Sequence, residues 1–239
     1  AATTEEFVTA LNNGGVVTLV GDVTTAATAS LKAGSTLDGG NNTLFVGGEF
    51  KDYYASQTLR FIQTSGDATI QNMTIDGNNA AYKFDGDNDG DIDNYGIRGI
   101  FLTGAGTVTI DNVTIKNVTY CLNDDAAEKT LNVSNSIFEG WTSYNDKTIA
   151  TFTNTKFQVG TYGTLRPYAQ TTFVDCDFAE GFVVDVYHNS KDNKGNITKE
   201  YQPTIVFKNC TYAGQPLTGK DSKLFETADA KKMDKVTIQ

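Results

Sequence analysis

The chain has 239 residues, is rich in Thr, Asn and Gly, and carries a net charge of −10 with a pI near 4.5. This acidity disfavours a nucleic-acid partner, whose phosphates require clusters of Lys and Arg, and a single His excludes a His-rich zinc site. No apolar run approaches the roughly 20 residues that a membrane span requires. Hydrophobic residues make up 39% of the chain, which is enough for a buried core, and the abundance of Thr, Asn and Gly predicts β structure with many turns.

The first residues predict a short amphipathic helix. Thr3 and Glu6 fit a capping box ahead of the apolar Phe7 and Leu11, and Gly14 follows as a helix stop. We expect this helix to cover the open apolar end of the first turn of the fold.

An eight-residue pattern then recurs six times, and each copy carries Asn or Asp at its fifth position. Apolar residues stand two positions before and three after it, and the intervening positions are mostly polar, an alternation that predicts a strand on each side. Asn and Asp tolerate the left-handed backbone conformation best after Gly, so each copy is expected to form two short strands joined at a tight, buried corner. Burial would disfavour glycosylation at the corner asparagines. The six corner residues are Asn72, Asn112, Asn135, Asn154, Asp175 and Asn209.

Neighbouring corner residues are separated by 19 to 23 positions in three of the five intervals, which indicates a solenoid. The two longer intervals require insertions, and the polar segments 77–96 and 188–202 are expected to be loops. The C-terminal residues 221–239 carry apolar side chains among charges and are expected to seal the last turn. Further strands are predicted at 16–20, 43–46, 59–63, 97–102, 120–123, 164–168 and 182–187.

The stacked units resemble the single-stranded right-handed parallel β-helix of the pectin-lyase-like type. The segments GGVVTLVGDVT, NVSNSIFEGW, TLRPYAQTTFVDCDF and IVFKNCTY look like those of β-helical surface proteins of gut Bacteroidetes, mostly described as adhesins or lipoproteins. This resemblance implies one all-β domain, with an N-terminal cap at 1–15, coils at 16–215 and a C-terminal cap at 216–239. It also implies an extracellular or cell-surface location, in some cases with a lipid anchor, and we expect a monomer.

Five residues form the candidate ligand-binding set. Arg166, Asp185 and Tyr187 alternate with apolar residues that are expected to face inward, so we expect them to be exposed on neighbouring turns, with Tyr168 and His188 beside them. Arg binds carboxylates with two parallel hydrogen bonds and Tyr stacks on sugars, so the set predicts recognition of an acidic glycan. The alternative is a surface ladder of polar and aromatic residues without a ligand. For His188 alone, an exposed loop residue is favoured over a general base. Arg60 and Arg98 would extend the patch.

A second candidate site is an acidic segment that resembles calcium loops of the D-x-D-x-D-G type. Carboxylates at alternate positions, with Gly90 at the sixth, suit a cation that takes six to eight oxygen ligands. The twelfth position holds Gly96 instead of the Glu of an EF-hand, and the alternative is an acidic insertion without an ion. A bound Ca²⁺ would have a structural role. The candidate ligands are Asp85, Asp87, Asp89, Asp91 and Asp93.

The cysteines leave two interpretations open. Cys176 and Cys210 occupy the same column of the repeat, so they predict either a disulfide between adjacent turns or stacked free thiols in the core. Cys121 is left over in either case.

Catalytic signatures are absent from the sequence. β-Helix pectate lyases and polygalacturonases combine acidic residues with Arg, Lys or His in characteristic patterns that this sequence lacks. The Asp124–Asp125 pair is interpreted as a solvated turn. The sequence therefore favours a non-catalytic surface or secreted protein that adheres to or binds a glycan or host ligand. The alternatives are a polysaccharide lyase or glycoside hydrolase acting on an acidic glycan, and a structural stalk. No cofactor other than Ca²⁺ is expected.

Overall fold

The computed structural model describes residues 3–47, 60–77, 97–226 and 231–239, which form one α-helix and 24 β-strands. Long parallel sheets dominate, so the described part of the chain is mostly β and consistent with a solenoid. The elements are α1 (Thr4–Asn13), β1 (Val16–Thr18), β2 (Val23–Thr25), β3 (Ala29–Leu31), β4 (Ser35–Val46), β5 (Arg60–Thr64), β6 (Ala68–Asp76), β7 (Arg98–Leu102), β8 (Gly106–Lys116), β9 (Tyr120–Asp124), β10 (Lys129–Ser134), β11 (Ile137–Glu139), β12 (Trp141–Tyr144), β13 (Thr148–Thr153), β14 (Lys156–Gln158), β15 (Thr164–Pro167), β16 (Thr171–Val174), β17 (Asp177–Phe178), β18 (Val183–Val184), β19 (His188–Lys191), β20 (Ile197–Tyr201), β21 (Ile205–Lys208), β22 (Thr211–Tyr212), β23 (Gln215–Pro216) and β24 (Val236–Ile238).

Helix α1 begins and ends where the capping residues predict. The Glu6 amide donates to Thr3 Oγ1 at 3.2 Å and the Thr3 amide donates to Glu6 Oε2 at 3.3 Å, which completes the capping box. Gly14 follows with a φ of +80°, a conformation that favours glycine. Phe7 and Leu11 are fully buried in the core, and the helix contacts β2 and β3.

The repeats stack in parallel and in register within a sheet of 15 strands. Strand β6 pairs with β8, and the series continues through β10, β13, β16 and β21 to β24. The pairing places the apolar residue that precedes each corner by two positions in a single inward column. Its members are at most 2% exposed, namely Ile70, Ile110, Val133, Phe152, Phe173 and Phe207.

Stacked aromatic rings fill the C-terminal half of the core. Parallel strands lie about 4.8 Å apart, so rings in register meet at stacking distance. The Phe152 and Phe173 ring centroids are 5.3 Å apart and those of Phe173 and Phe207 are 4.9 Å apart, with both pairs stacked.

All six corner residues have the expected left-handed conformation, with φ between +47° and +54°. The expectation that they are buried is wrong, since Asn72 is half-buried and the other five are exposed. The left-handed corner turns the side chain away from the core, where the amide reaches the next turn instead. Asn112 Nδ2 donates to Asn72 Oδ1 at 3.0 Å, and Asn154 Nδ2 donates to Asn135 Oδ1 at 2.8 Å.

A second parallel sheet takes one strand from each turn, in the order β18-β15-β12-β9-β7-β5-β3. Strand β12 belongs to this sheet and was missing from the strands predicted by sequence. The predicted strand at 182–187 is reduced to Val183–Val184.

The insertion at 188–202 is not the predicted loop. It forms the antiparallel hairpin β19–β20, in which His188 pairs with Tyr201 and Asn189 with Glu200. The hairpin is mostly exposed, so its polar sequence gives no apolar alternation that would identify strands. The insertion at 77–96 lies outside the described residues except for Gly77.

Candidate arginine–aromatic binding face

The outer face of the seven-stranded sheet gathers the three arginines and the single tryptophan of the chain. The strand register aligns Arg60, Arg98, Tyr120 and Trp141 in one outward column on β5, β7, β9 and β12. A second outward column lies beside it on the same strands and on β15. We use the term arginine–aromatic face for Arg60, Arg98, Phe101, Tyr120, Trp141 and Arg166.

Each guanidinium group on this face stacks on an aromatic ring. The Cζ atom of Arg60 is 3.7 Å from the Phe101 ring centroid, that of Arg98 is 4.6 Å from the Tyr120 centroid, and that of Arg166 is 5.0 Å from the Trp141 centroid. The Tyr120 and Trp141 rings stack at 5.3 Å. Such stacking holds the flat cations against the sheet and restricts their rotamers. Burial lowers the pKa of Arg98, but arginine remains cationic at neutral pH.

Several polar atoms of this sheet are buried and lack a hydrogen-bond partner in the structure. They include Nε of Arg60, Nε of Arg98, Nε1 of Trp141 and Oδ1 of Asn123. A buried donor or acceptor without a partner destabilises the protein, so native structures rarely leave several together. Because these atoms are buried, ordered water between the side chains would be the simplest partner for them.

Arg166 and Asp185 of the candidate set form an ion pair. Arg166 Nε donates to Asp185 Oδ2 at 2.7 Å, and His188 Nδ1 lies 3.9 Å from the same oxygen. Burial alone would lower the pKa of Arg166, but the hydrogen bond and charge of Asp185 raise it. The expectation that Asp185 is exposed is wrong, because it is 2% exposed. Arg166 binds the Asp185 carboxylate. The C-terminal segment packs on β18, where the Val184 amide donates a hydrogen bond to Leu224 O at 2.7 Å.

Tyr168 and His188 lie beside this ion pair, together with a third ring that the sequence did not single out. The Tyr168 ring meets that of His188 edge-on at 5.3 Å and that of Tyr201 at 4.6 Å. His188 lies in β19 and is half-buried, so its interpretation as an exposed loop residue is wrong. Burial and the charge of Arg166 lower the pKa of His188.

Tyr187 and Tyr168 line two different clefts. The apolar residues Leu165, Val184 and Val186 face the core as predicted, and Tyr187 lines a cleft of about 380 Å³. Lys232 Nζ lies 4.8 Å from the centroid of the Tyr187 ring. Four of the five predicted ligand-binding residues thus come together.

A cleft of about 400 Å³ adjoins the arginine–aromatic face between the ends of β9 and β12 and the hairpin β19–β20. Tyr168 and Tyr201 line one part, and Asn123, Ser143 and Ser190 supply polar groups. Flat rings with a few polar groups beside them suit a sugar, which has apolar ring faces and a hydroxyl rim.

Asp124 and Asp125 are not a solvated turn. Asp124 accepts hydrogen bonds from the Asn145 amide at 2.8 Å, from Asn145 Nδ2 at 2.7 Å and from Thr148 Oγ1 at 2.6 Å. Burial raises the pKa of Asp124 to about 6. Asp125 Oδ1 binds the buried ammonium of Lys129. The pair therefore orders the rim of the cleft, where Asp124 is a lining residue.

Sequence reasoning did not single out Trp141, Tyr201 or Glu226. Glu226 adjoins Asp185, and burial and the charge of Asp185 raise the pKa of Glu226. A signal was available for Trp141, since it lies 21 residues after Tyr120 and 23 before Thr164, the spacing of one turn. No such spacing marks Tyr201, which belongs to an insertion, or Glu226, which follows the last repeat.

The predicted calcium ligands Asp85, Asp87, Asp89, Asp91 and Asp93 lie outside the described residues. Within the described ranges, no group of three or more His, Cys, Asp and Glu side chains is arranged to hold a metal ion. Nor does the described part of the chain contain a helix of sufficient length and apolarity to span a bilayer.

Comparisons with protein-family models, with curated proteins and with solved structures found no match to this chain.

Proposed function

We propose that this protein is a non-catalytic surface or secreted protein with a right-handed parallel β-helix, and that it adheres to an acidic glycan through its arginine–aromatic face. The observation that supports this most is the alignment of three guanidinium groups, each stacked on an aromatic ring, along one outward face. The buried Phe7 and Leu11 of α1 support a cap at the N-terminal end of the coil.

Charge directs an anionic ligand to this face. The chain has a net charge of −10, yet all three of its guanidinium groups lie on one sheet. A guanidinium group held flat presents parallel N–H donors that match a carboxylate. Neighbouring strands are about 4.8 Å apart, so the face from β5 to β15 spans about 19 Å, enough for several sugars of an extended chain.

The adjoining cleft provides contacts for uncharged parts of the glycan. The rings of Tyr168 and Tyr201 suit the apolar faces of sugars, and the side chains of Ser143 and Ser190 suit their hydroxyl groups. A ligand that crosses from the arginines into the cleft would thus meet carboxylate-binding and sugar-binding groups in sequence.

A polysaccharide lyase or glycoside hydrolase is the second candidate, and one observation favours it. Asp124 lines the cleft with a pKa raised to about 6 by burial, which suits a general acid. Three donors already occupy its carboxylate, which favours a structural role instead.

A panel of polysaccharides tests the proposal. Calorimetric titration with polygalacturonate, hyaluronan and neutral dextran should show saturable binding to one of the uronate polymers, weakened by salt, and none to dextran. Absence of binding to every acidic polymer, or equal binding to dextran, would contradict it and leave the stalk interpretation. Incubation should release neither unsaturated products nor reducing ends. Release that disappears in Asp124→Asn would instead establish the enzyme.

A further inference from the structure

Two buried cysteines face each other at the C-terminal end of the 15-stranded sheet. Each follows a corner residue directly, since Cys176 comes after Asp175 and Cys210 after Asn209. The register pairs Val174 with Lys208 before the corners and Asp177 with Thr211 after them. The two cysteines are therefore opposite each other on adjacent turns.

Their separation suits a covalent link. Adjacent parallel strands lie about 4.8 Å apart, and disulfides join Cα atoms separated by roughly 4.4–6.8 Å. The Thr211 amide donates to Cys176 O at 2.9 Å, which continues the parallel ladder across this position. Cys176 is 1% exposed and Cys210 is 4% exposed, so both side chains point to the same interior side. The thiol of Cys210 is the largest cause of the raised pKa of Cys176, as expected for sulfur atoms in contact.

We propose that Cys176 and Cys210 are the site of a disulfide cross-link that staples the last two repeats together. Both are free thiols in this structure. The cross-link requires an oxidant of the disulfide class, such as oxidised glutathione. One Cys176–Cys210 S–S bond forms, the S–S bond of the oxidant breaks, and the two thiol protons and two electrons pass to the two thiols that it releases.

The position of the cross-link connects it to the candidate binding site. The segment between the two cysteines holds Asp185, His188 and Tyr201, which form part of the site and one wall of the cleft. A bond between its ends fixes the base of this segment in the folded protein and restricts it in the unfolded chain. The inference does not depend on the proposed function, because the cross-link is measured without a ligand.

The alternative is that the two thiols only replace the hydroxyl groups found at this position in other repeats. At the same column position, Ser136 Oγ donates to Ser134 O at 2.6 Å and Thr155 Oγ1 donates to Thr153 O at 3.0 Å. Cys176 and Cys210 make the equivalent contact to the carbonyl two residues earlier, each at 3.4 Å. If the thiols act only as substitutes for hydroxyl groups, the variant Cys176→Ser/Cys210→Ser keeps this role in full.

The experiment is to refold the whole chain in a buffer of reduced and oxidised glutathione, so that burial does not hinder the oxidant. We expect one titratable thiol in denaturant instead of three, and a peptide map without reductant that links Cys176 to Cys210. The cross-linked protein should melt on the order of 5–10 °C above the reduced protein. Cys121→Ser should show the same shift on reduction, and Cys176→Ser/Cys210→Ser should show none.

Three outcomes would overturn the proposal. They are the persistence of three thiols after refolding in the redox buffer, a bridge that involves Cys121, and a cross-linked form that melts no higher than the reduced one. Cys121 lies on β9 of the other sheet, so it serves as the unlinked control.

Discussion

Arg166 donates from Nε to Oδ2 of Asp185 at 2.7 Å, and its guanidinium carbon lies 5.0 Å from the centroid of the Trp141 ring. One side chain thus joins a buried carboxylate to the aromatic column of the outer face. Removal of Arg166 therefore affects stability as well as binding.

Arg166→Met should destabilise the protein by about 2–3 kcal/mol, because it leaves the charge of Asp185 buried without its cation. Urea denaturation measures this loss. The double variant Arg166→Met/Asp185→Asn should recover part of it, since the asparagine removes the unpaired charge. Asp185→Asn alone gives the cost of the asparagine in the presence of Arg166. If the same cost is added when Asp185→Asn is introduced into Arg166→Met, the two residues are not coupled.

The corner asparagines should contribute through both their backbone and their amide. Asn154 has a φ of +47° and donates to Asn135 Oδ1 at 2.8 Å. Asn154→Ala loses the hydrogen bond and adds strain in the left-handed region, and we expect it to lower the free energy of unfolding by about 1–2 kcal/mol. Asn154→Gly keeps the conformation accessible and should cost less. Equal stability of the alanine variant and the wild type would refute this account of the corner.

Asp124 should make stability decrease as the pH rises from about 4 to about 6. Burial raises the pKa of Asp124 from the ordinary 3.8 to about 6. The folded protein therefore binds more protons than the unfolded chain in this window, so the contribution of Asp124 is most favourable at low pH and weakens as it ionises. The change is on the order of 2 kcal/mol.

The comparison with Asp124→Asn isolates this effect from other carboxylates. Asp125 and Asp146 have lowered pKa values. Burial alone would raise the pKa of Asp125, but its hydrogen bonds from Lys129 and from the Ala127 and Gly104 amides, together with the charge of Lys129, outweigh burial. The hydrogen bond from Lys199 lowers the pKa of Asp146. Ionisation of these two carboxyl groups therefore stabilises the folded state as the pH rises. The wild type should lose stability relative to the variant between pH 4 and pH 6, as followed by urea titrations at several pH values. A constant difference across this range would show that the pKa of Asp124 is not raised.

The hairpin should contribute a sugar-stacking ring. Tyr201 lines the cleft and meets Tyr168 edge-on at 4.6 Å. Tyr201→Ala should weaken binding of the acidic glycan about tenfold through loss of ring contacts, whereas Tyr201→Phe should bind nearly as well as the wild type. Calorimetric titration measures both constants. Unchanged binding by the alanine variant would remove the hairpin from the site.

The repeats were predictable because their information is local. The alternation of apolar residues and the corner Asn or Asp are read directly from each copy, and both the parallel register and the left-handed corners agree with them. The hairpin β19–β20 was missed since both of its faces are largely solvated, which leaves no apolar period to detect.

The candidate site was only partly predictable because it depends on pairing between distant segments. The register of β12 against β9 shifts between Trp141 and Thr142, and this irregularity places Trp141 in the column of Tyr120. Asp185 adjoins Glu226, which lies in a segment beyond the last repeat. No local pattern encodes either contact.

Removal of charge from the arginine–aromatic face shows whether this face holds the glycan. Arg60→Met/Arg98→Met eliminates two cations from this face, and Lys156→Met/Lys208→Met eliminates two exposed cations from the other sheet as a control of equal net charge. A uronate polymer bound by the wild type should bind the arginine variant at least tenfold more weakly and the lysine variant almost as tightly as the wild type. Equal weakening in both variants, or none in the arginine variant, would contradict binding at this face.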